Sequence, residues 1–209
     1  MKTIRIFFFL SIMSTSFAQL SLSVSGGIDA KGISLYDNIG TESDNVYWNT
    51  GVTFGINSEY SLADKFFVSY SIHYTRYKFD KYTSTAIRVP EIIFVSAEGA
   101  NSEFWRISAE VKYFPFHQNR VRLFILTGIG LMVENVGTVT TKFRQLGEDG
   151  FSTNIIRTPP QTTMVHSLGM GIRTNISSKF FIDASVLYYS NYSERFQTFM
   201  GLSIGYNII

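Results

Sequence analysis

Residues 197–208 read QTFMGLSIGYNI, and large apolar side chains alternate with small or polar ones along this stretch. Successive side chains of a β-strand point to opposite faces, so a period of two predicts a strand with one apolar and one polar face. The apolar set is Thr198, Met200, Leu202, Ile204, Tyr206 and Ile208. The opposite set includes Gln197, Gly201, Ser203, Gly205 and Asn207. The stretch therefore predicts one strand of a two-faced sheet.

The same alternation recurs in seven earlier segments of the chain. They cover residues 20–31, 48–60, 66–75, 105–113, 123–133, 164–173 and 180–188. Within 123–133 the alternation is less regular, because Phe124 and Leu126 fall on the polar face. Eight amphipathic strands separated by turns predict an all-β fold, an eight-stranded antiparallel up-and-down barrel.

The N-terminal residues 1–18 have the features of a secretory signal peptide. Lys2 and Arg5 form a positive region, residues 6–13 an apolar region, and residues 16–18 a small-residue cleavage site. The apolar region is too short to cross a membrane as a helix, which takes about 20 residues. We therefore expect export, cleavage after Ala18 and a mature barrel domain over residues 19–209.

Composition narrows the classes of function. The chain has 18 basic and 16 acidic residues, and removing the signal peptide would balance them, which argues against a nucleic-acid partner. Cysteine is absent, which excludes disulfides, thiolate metal sites, a cysteine nucleophile and a lipoprotein anchor. Charged residues make up 16% of the chain, below the roughly 25% usual for soluble domains, and aromatic residues also reach 16%. This balance favours a membrane barrel.

The polar face decides which side of the barrel points outward. It is mostly Gly, Ser, Thr and Asn, which fit a crowded eight-stranded interior, whereas a soluble, lipocalin-like barrel would show water a surface rich in Lys and Glu. Aromatic residues bound the apolar face at both ends, as they do at the two lipid–water interfaces. The predicted girdles are Trp48, Tyr74, Trp105 and Tyr188 at one end and Tyr60, Phe66, Tyr113, Phe180 and Tyr206 at the other. We therefore predict a transmembrane barrel in the bacterial outer membrane, in contact with its lipid and lipopolysaccharide.

The predicted connections alternate in length. Short turns cover residues 61–65, 115–120 and 175–179, whereas long or polar links cover 32–46, 81–103 and 135–161, and the last link, 190–195, is shorter. In outer-membrane barrels the short turns face the periplasm and the long loops face outward. The third long link carries Val139, Phe143 and residues 155–156 around a Gly147–Gly150 turn, which predicts an extracellular hairpin.

These features together resemble a known family. The export signal, the eight alternating strands, the Tyr113-Phe114-Pro115 turn and the closing residues 201–206 resemble the small outer-membrane β-barrel domain of OmpA, OmpX and OmpW-like proteins. The resemblance covers essentially the whole mature chain. It implies an integral outer-membrane barrel and carries no catalytic motif.

The interior of an eight-stranded barrel is filled by its own side chains, so we expect no open aqueous pore. The inward-facing charged residues are Asp29, Lys31, Glu59, Arg106, Glu110, Lys112, Arg122, Arg173 and Asp183. Because unpaired buried charges are costly, we predict a salt-bridge network around Asp29, Arg106, Glu110, Arg173 and Asp183 and favour it over a proton or ion pathway. Glu110 is the exception: small neighbours by register, predicted as Ser71, Gly128, Gly169 and Ser185, leave room for a hydrated cavity.

No catalytic, cofactor-binding or metal site is predicted. His73 points inward, His166 points toward lipid and His117 lies in a short turn, so no two share a face at ligand spacing. His166 and Ser167 are adjacent and therefore face opposite ways, which argues against a lipid-modifying enzyme.

The second long link offers a candidate partner-binding segment, Ile92-Ile93-Phe94-Val95. An apolar run of this kind marks an interaction site if it is exposed, although a strand extension packed on its neighbours is the alternative. Our first functional hypothesis is a non-enzymatic barrel that contacts another outer-membrane protein as an accessory subunit of an envelope complex. The second is a narrow channel for small or hydrophobic solutes, as suggested by Phe124, Leu126, Val165 and Leu187 facing inward.

Overall fold

The computed structural model describes residues 19–31, 50–79, 92–116, 120–145, 150–191 and 196–208. In these ranges no helix is long and apolar enough to cross a membrane. The eleven strands described there are β1 Leu20–Lys31, β2 Thr50–Ala63, β3 Phe66–Tyr77, β4 Ile92–Gly99, β5 Ser102–Tyr113, β6 Val121–Asn135, β7 Val139–Gln145, β8 Ser152–Ile156, β9 Gln161–Asn175, β10 Phe180–Asn191 and β11 Phe196–Asn207. The predicted signal peptide lies outside the described residues and stays a prediction.

Eight of these strands form a closed antiparallel barrel. Its order is β1-β11-β10-β9-β6-β5-β3-β2, and β2 pairs with β1 to close the cylinder. Each barrel strand thus pairs with the barrel strands that precede and follow it, and the first pairs with the last. The predicted fold class, an eight-stranded antiparallel up-and-down barrel, is confirmed.

The barrel is inverted relative to a soluble protein. Large apolar side chains cover its outside, with Phe54, Ile56 and Leu202 each more than 60% exposed. Charged and hydroxyl side chains fill its inside, and Asp29 and Thr53 are fully buried. Only a lipid environment makes such an arrangement favourable, because exposed apolar area on this scale is disfavoured in water.

A second sheet continues from the loop end of the barrel. It has three strands in the order β4-β7-β8, and all neighbours are antiparallel. The predicted hairpin in the third long link is confirmed as β7 and β8, with Val139 opposite Ile156. We call the three-stranded sheet the extracellular platform, after the side of the membrane on which long loops of outer-membrane barrels are expected.

Several strands extend beyond the predicted bounds. The predicted short turn at residues 61–65 is present but shorter, because β2 continues to Ala63 through a register shift between Ser61 and Ala63 and β3 begins at Phe66. Such a bulge interrupts the period-two pattern from which the strand end was inferred. At the loop end β5 begins at Ser102, β6 ends at Asn135 and β10 ends at Asn191, so the links there are shorter than predicted.

Candidate functional site

Four charged side chains from four strands meet inside the turn end of the lumen. Arg173 on β9 is the centre: its Nε and Nη2 donate to the two carboxylate oxygens of Asp183, each at 2.7 Å. Its Nη1 and Nη2 also donate to the two oxygens of Glu59, at 2.5 and 3.0 Å. Both contacts are bidentate, the geometry for which a planar guanidinium is suited.

Lys112 completes this group from β5. Its Nζ lies 2.6 Å from Glu59 Oε2 and 3.1 Å from Asp183 Oδ2, so each carboxylate contacts both cations. The Arg173 guanidinium also lies 3.9 Å from the centroid of the Phe181 ring. We call Glu59, Lys112, Arg173 and Asp183 the ionic quartet, and its two positive and two negative charges balance.

The predicted charge network is divided into separate parts. Arg106 Nη1 lies 3.5 Å from Asp29 Oδ2, and the Arg106 guanidinium lies 3.5 Å above the Tyr189 ring. Arg173 and Asp183 meet in the ionic quartet instead, together with Glu59 and Lys112, which the prediction had placed inward but outside the central network.

Glu110 belongs to neither cluster. Among the residues that the structure describes, no cationic side chain forms a salt bridge with it; its Oε1 accepts a hydrogen bond from Ser108 Oγ at 3.1 Å. Its cross-strand partners are Ser69 and Gly128. The prediction of Gly128 is confirmed, whereas those of Ser71 and Gly169 were wrong: Ser71 lies opposite Ser108, and Gly169 opposite Leu126.

A small polar cavity lies beside Glu110 and above the ionic quartet. Its volume is about 50 Å³, and it reaches from Lys112 at the quartet to His73, the register partner of Arg106. One water molecule needs about 10–15 Å³, so this volume is large enough for the hydrated cavity that was predicted beside Glu110. We call this cavity the chamber.

The loop end of the lumen is closed by an apolar cluster. Its buried members come from four barrel strands and from β7, and they are Tyr77, Phe104, Met132, Val139 and Val165. We call this cluster the apolar cap. Val139 is 1% exposed, so the first residue of the extracellular platform is also part of the barrel interior.

Three backbone contacts also fasten the extracellular platform to the barrel. The Gly137 N–H donates to Ser102 Oγ at 2.9 Å, and the Ala100 N–H donates to the Thr138 carbonyl at 3.0 Å. The Phe79 N–H donates to Asn101 Oδ1 at 3.1 Å. The Phe79 ring lies so close to Gly99 that any side chain at position 99 would collide with it. The platform is thus bound to the barrel through both the segment that follows β4 and the segment that precedes β7.

The candidate partner-binding segment Ile92-Ile93-Phe94-Val95 forms the start of β4. Its backbone pairs with β7: Ile92 lies opposite Gln145, and Phe94 lies opposite Phe143, with an irregularity before Ser96. The segment is therefore a strand of the platform. The environment of its side chains is outside what the structure describes.

The predicted girdle residues lie on the outer wall in cross-strand pairs. At the loop end the Tyr74 and Trp105 rings are 4.9 Å apart, and at the turn end the Phe180 and Tyr206 rings are 5.0 Å apart. Phe66 and Tyr113 form a third pair at 4.8 Å. Tyr60 on β2 and Tyr188 on β10 also lie on the outer face of the barrel. Trp48 lies outside the described residues.

The two histidines that the structure describes lie on opposite sides of the barrel wall. His73 is buried and its Nε2 lies 3.1 Å from Ser25 Oγ, whereas His166 is exposed on the outer wall. His117 lies outside the described residues. Within the described ranges no group of three or more His, Asp or Glu side chains could hold a metal ion.

A comparison with protein-family models agrees with this architecture. A family model described as "Outer membrane protein beta-barrel domain" matches residues 7–207. Among solved structures, Ail of Yersinia pestis is 17% identical with a TM-score of 0.47, covering 91% of this chain and 97% of its own. Neisserial surface protein A is 14% identical with a TM-score of 0.49, covering 92% and 98%. The outer-membrane enzyme PagL is 13% identical with a TM-score of 0.42, covering 88% and 97%. No curated protein sequence matches the chain.

Proposed function

The chain belongs to the outer membrane protein β-barrel domain family, and from this premise we propose that it is a non-enzymatic subunit that binds a partner through its extracellular platform. As an integral protein of the bacterial outer membrane, it contacts membrane lipid through its apolar wall. The platform is the part that extends beyond this wall into the space where another envelope component can be reached.

The single observation that carries the proposal is the attachment of the platform to the barrel. A loop that only connected two strands would need no buried anchor, yet Val139 is buried in the apolar cap and Gly137 is bound to Ser102. A preorganised binding surface loses little conformational entropy when a partner binds, which favours affinity. The platform therefore has the rigidity that a docking surface requires.

Exposed side chains on the platform indicate what it could contact. Phe151 and Ile155 are 67% and 52% exposed, and Lys142, Arg144 and Arg157 are exposed around them. Apolar side chains rimmed by charged ones are typical of protein interaction surfaces. We therefore propose a protein partner in the outer membrane or on its surface.

Co-purification from native outer membranes tests the proposal. A tagged wild-type barrel is expected to retain a stable partner, and the double substitution Phe151→Ser with Ile155→Ser should abolish retention. The matched control is Thr153→Ala with Asn154→Ala on the same exposed strand, which should retain it. Isolation of the wild-type barrel as a partner-free monomer under every mild extraction would contradict the proposal.

A narrow channel is the second candidate, and the chamber is the observation that favours it. Phe124, Leu126 and Leu187 line the chamber, so a small solute would meet both apolar and polar groups there. The ionic quartet and the apolar cap stand on either side of it and would both have to open. Planar-bilayer recordings of the purified barrel without conductance, together with no binding of small apolar ligands, would eliminate this candidate.

A further inference from the structure

The chamber is a small cavity inside the barrel whose lining does not balance in charge. Three carboxylates, those of Glu59, Glu110 and Asp183, contribute to its wall, and Lys112 is the cation that lines it. Arg173 adds a second positive charge through its contacts with Glu59 and Asp183. These contacts satisfy the quartet internally, so the negative charge that remains belongs to Glu110.

The Glu110 side chain is buried inside the barrel. It is 6% exposed, and its Oε1 accepts a hydrogen bond from the neutral Ser108 hydroxyl. Ser71 Oγ lies 2.6 Å from Ser108 Oγ, so a short relay of hydroxyls supports the carboxylate from one side. Hydroxyls stabilise a carboxylate but do not neutralise it, and an uncompensated buried charge is strongly unfavourable.

Part of the chamber wall beside this carboxylate is formed by residues that carry side-chain oxygen atoms. Ser69, directly across the strand pair from Glu110, is 4% exposed and lines the chamber. Asn57 donates through Nδ2 to Ser23, which leaves its amide oxygen for another contact. A side chain at Gly128 would overlap the Glu110 Cγ and Cα atoms, so glycine at this position gives the carboxylate its place.

We propose that the chamber binds a small monovalent cation, Na⁺ or K⁺, against the Glu110 carboxylate. A volume of about 50 Å³ holds such an ion with two or three waters. A single negative charge is balanced by a single positive one, whereas a divalent ion would leave an excess and normally takes several carboxylate ligands. The site is independent of the platform, so it can exist whether or not the partner-binding proposal holds.

The experiment measures how cation identity affects folding of the whole barrel. The protein is refolded in zwitterionic detergent, and urea unfolding is followed by tryptophan fluorescence and by the heat-modifiable gel shift. Sodium, potassium and tetramethylammonium chloride are compared at equal ionic strength and pH, because the organic ion is too large for the chamber. At a salt concentration ten times the dissociation constant, a fitting cation should raise the folding equilibrium constant about tenfold over tetramethylammonium.

Variants assign the effect to the chamber. Glu110→Gln keeps the shape of the side chain and should abolish the difference between salts, while Ser69→Ala should reduce it. Glu103→Gln, on the same strand but outside the buried set, should keep the full difference. Equal stability of the wild type in all three salts would overturn the proposal. Equal salt differences in the wild type and in Glu110→Gln would overturn it as well.

Discussion

The two ends of the lumen are closed by different chemistry, although the same eight strands build both. The turn end holds the ionic quartet, packed against the rings of Phe67 and Phe114, whereas the loop end holds the apolar cap. In an ionic closure every member depends on the others, because removing one leaves a buried charge without its partner. An apolar closure loses stability roughly in proportion to the volume removed. One end should therefore respond abruptly to substitution and the other gradually.

This difference matches what lies beyond each end. The apolar cap includes Val139, so it joins the barrel to the extracellular platform. The quartet lies at the end where short turns join the strands, and the Phe114 N–H there donates to the Lys65 carbonyl at 2.9 Å. A closure that tolerates changes of side chain suits an end whose loops carry the binding surface, and a rigid ionic closure suits the end that holds the barrel together.

The largest effect is expected at Arg173. Arg173→Met removes four hydrogen bonds and leaves Lys112 as the cation in direct contact with Glu59 and Asp183. The free energy of unfolding should fall by about 3–5 kcal/mol, the usual cost of removing one partner of a buried pair. Urea unfolding of the refolded barrel in detergent measures it.

The control for this variant removes a negative charge as well. Arg173→Met combined with Asp183→Asn leaves the Lys112–Glu59 pair at 2.6 Å and a balanced lumen. The double variant should return to within about 1 kcal/mol of the wild type, since a buried ion pair often contributes little over neutral groups of similar volume. If both variants lose the same free energy of unfolding, the turn end is stabilised by packing instead of by charge pairing. The proposed difference between the two ends of the lumen would then be wrong.

A smaller, graded effect is expected in the apolar cap. Met132, 2% exposed, packs among the cap residues, and Met132→Ala should lower the free energy of unfolding by about 2–3 kcal/mol. Met132→Leu nearly conserves volume and should cost less than about 1.5 kcal/mol. The same urea titrations compare the two. If Met132→Leu lowered the free energy of unfolding as much as Met132→Ala, the stability of the apolar cap would not depend on the volume removed.

The features of the two ends that depend on local sequence could be predicted, whereas those that depend on contacts between distant strands could not. Strand faces follow from a period of two, a local property, and the barrel with its outward apolar wall was predicted correctly. The contact of Arg173 with Asp183 joins direct cross-strand partners. That Glu59 and Lys112 join them depends on how far the strands are staggered around the cylinder, which no local pattern records.

The platform shows the same limit. The β7–β8 hairpin was predictable because its apolar residues flank a glycine turn within one link. The pairing of β4 with β7 joins two different links, and the segment Ile92-Ile93-Phe94-Val95 carried only its apolar character as a signal. Val139 could have been assigned to the hairpin but not to the apolar cap, because that role depends on where the hairpin stands over the lumen.

The smallest effect tests whether the difference between the ends is confined to the inside. On the outer wall both ends carry ring pairs of similar geometry, Tyr74 with Trp105 at 4.9 Å and Phe66 with Tyr113 at 4.8 Å. Because lipid surrounds both pairs, double-mutant cycles to alanine should give similar coupling energies of about 0.5–1.5 kcal/mol at each end. Unfolding free energies of the single and double variants in one lipid or detergent supply the cycles. A coupling present at one end and absent at the other would mean that the asymmetry extends through the wall, and the lumen alone could then no longer explain why the two ends differ.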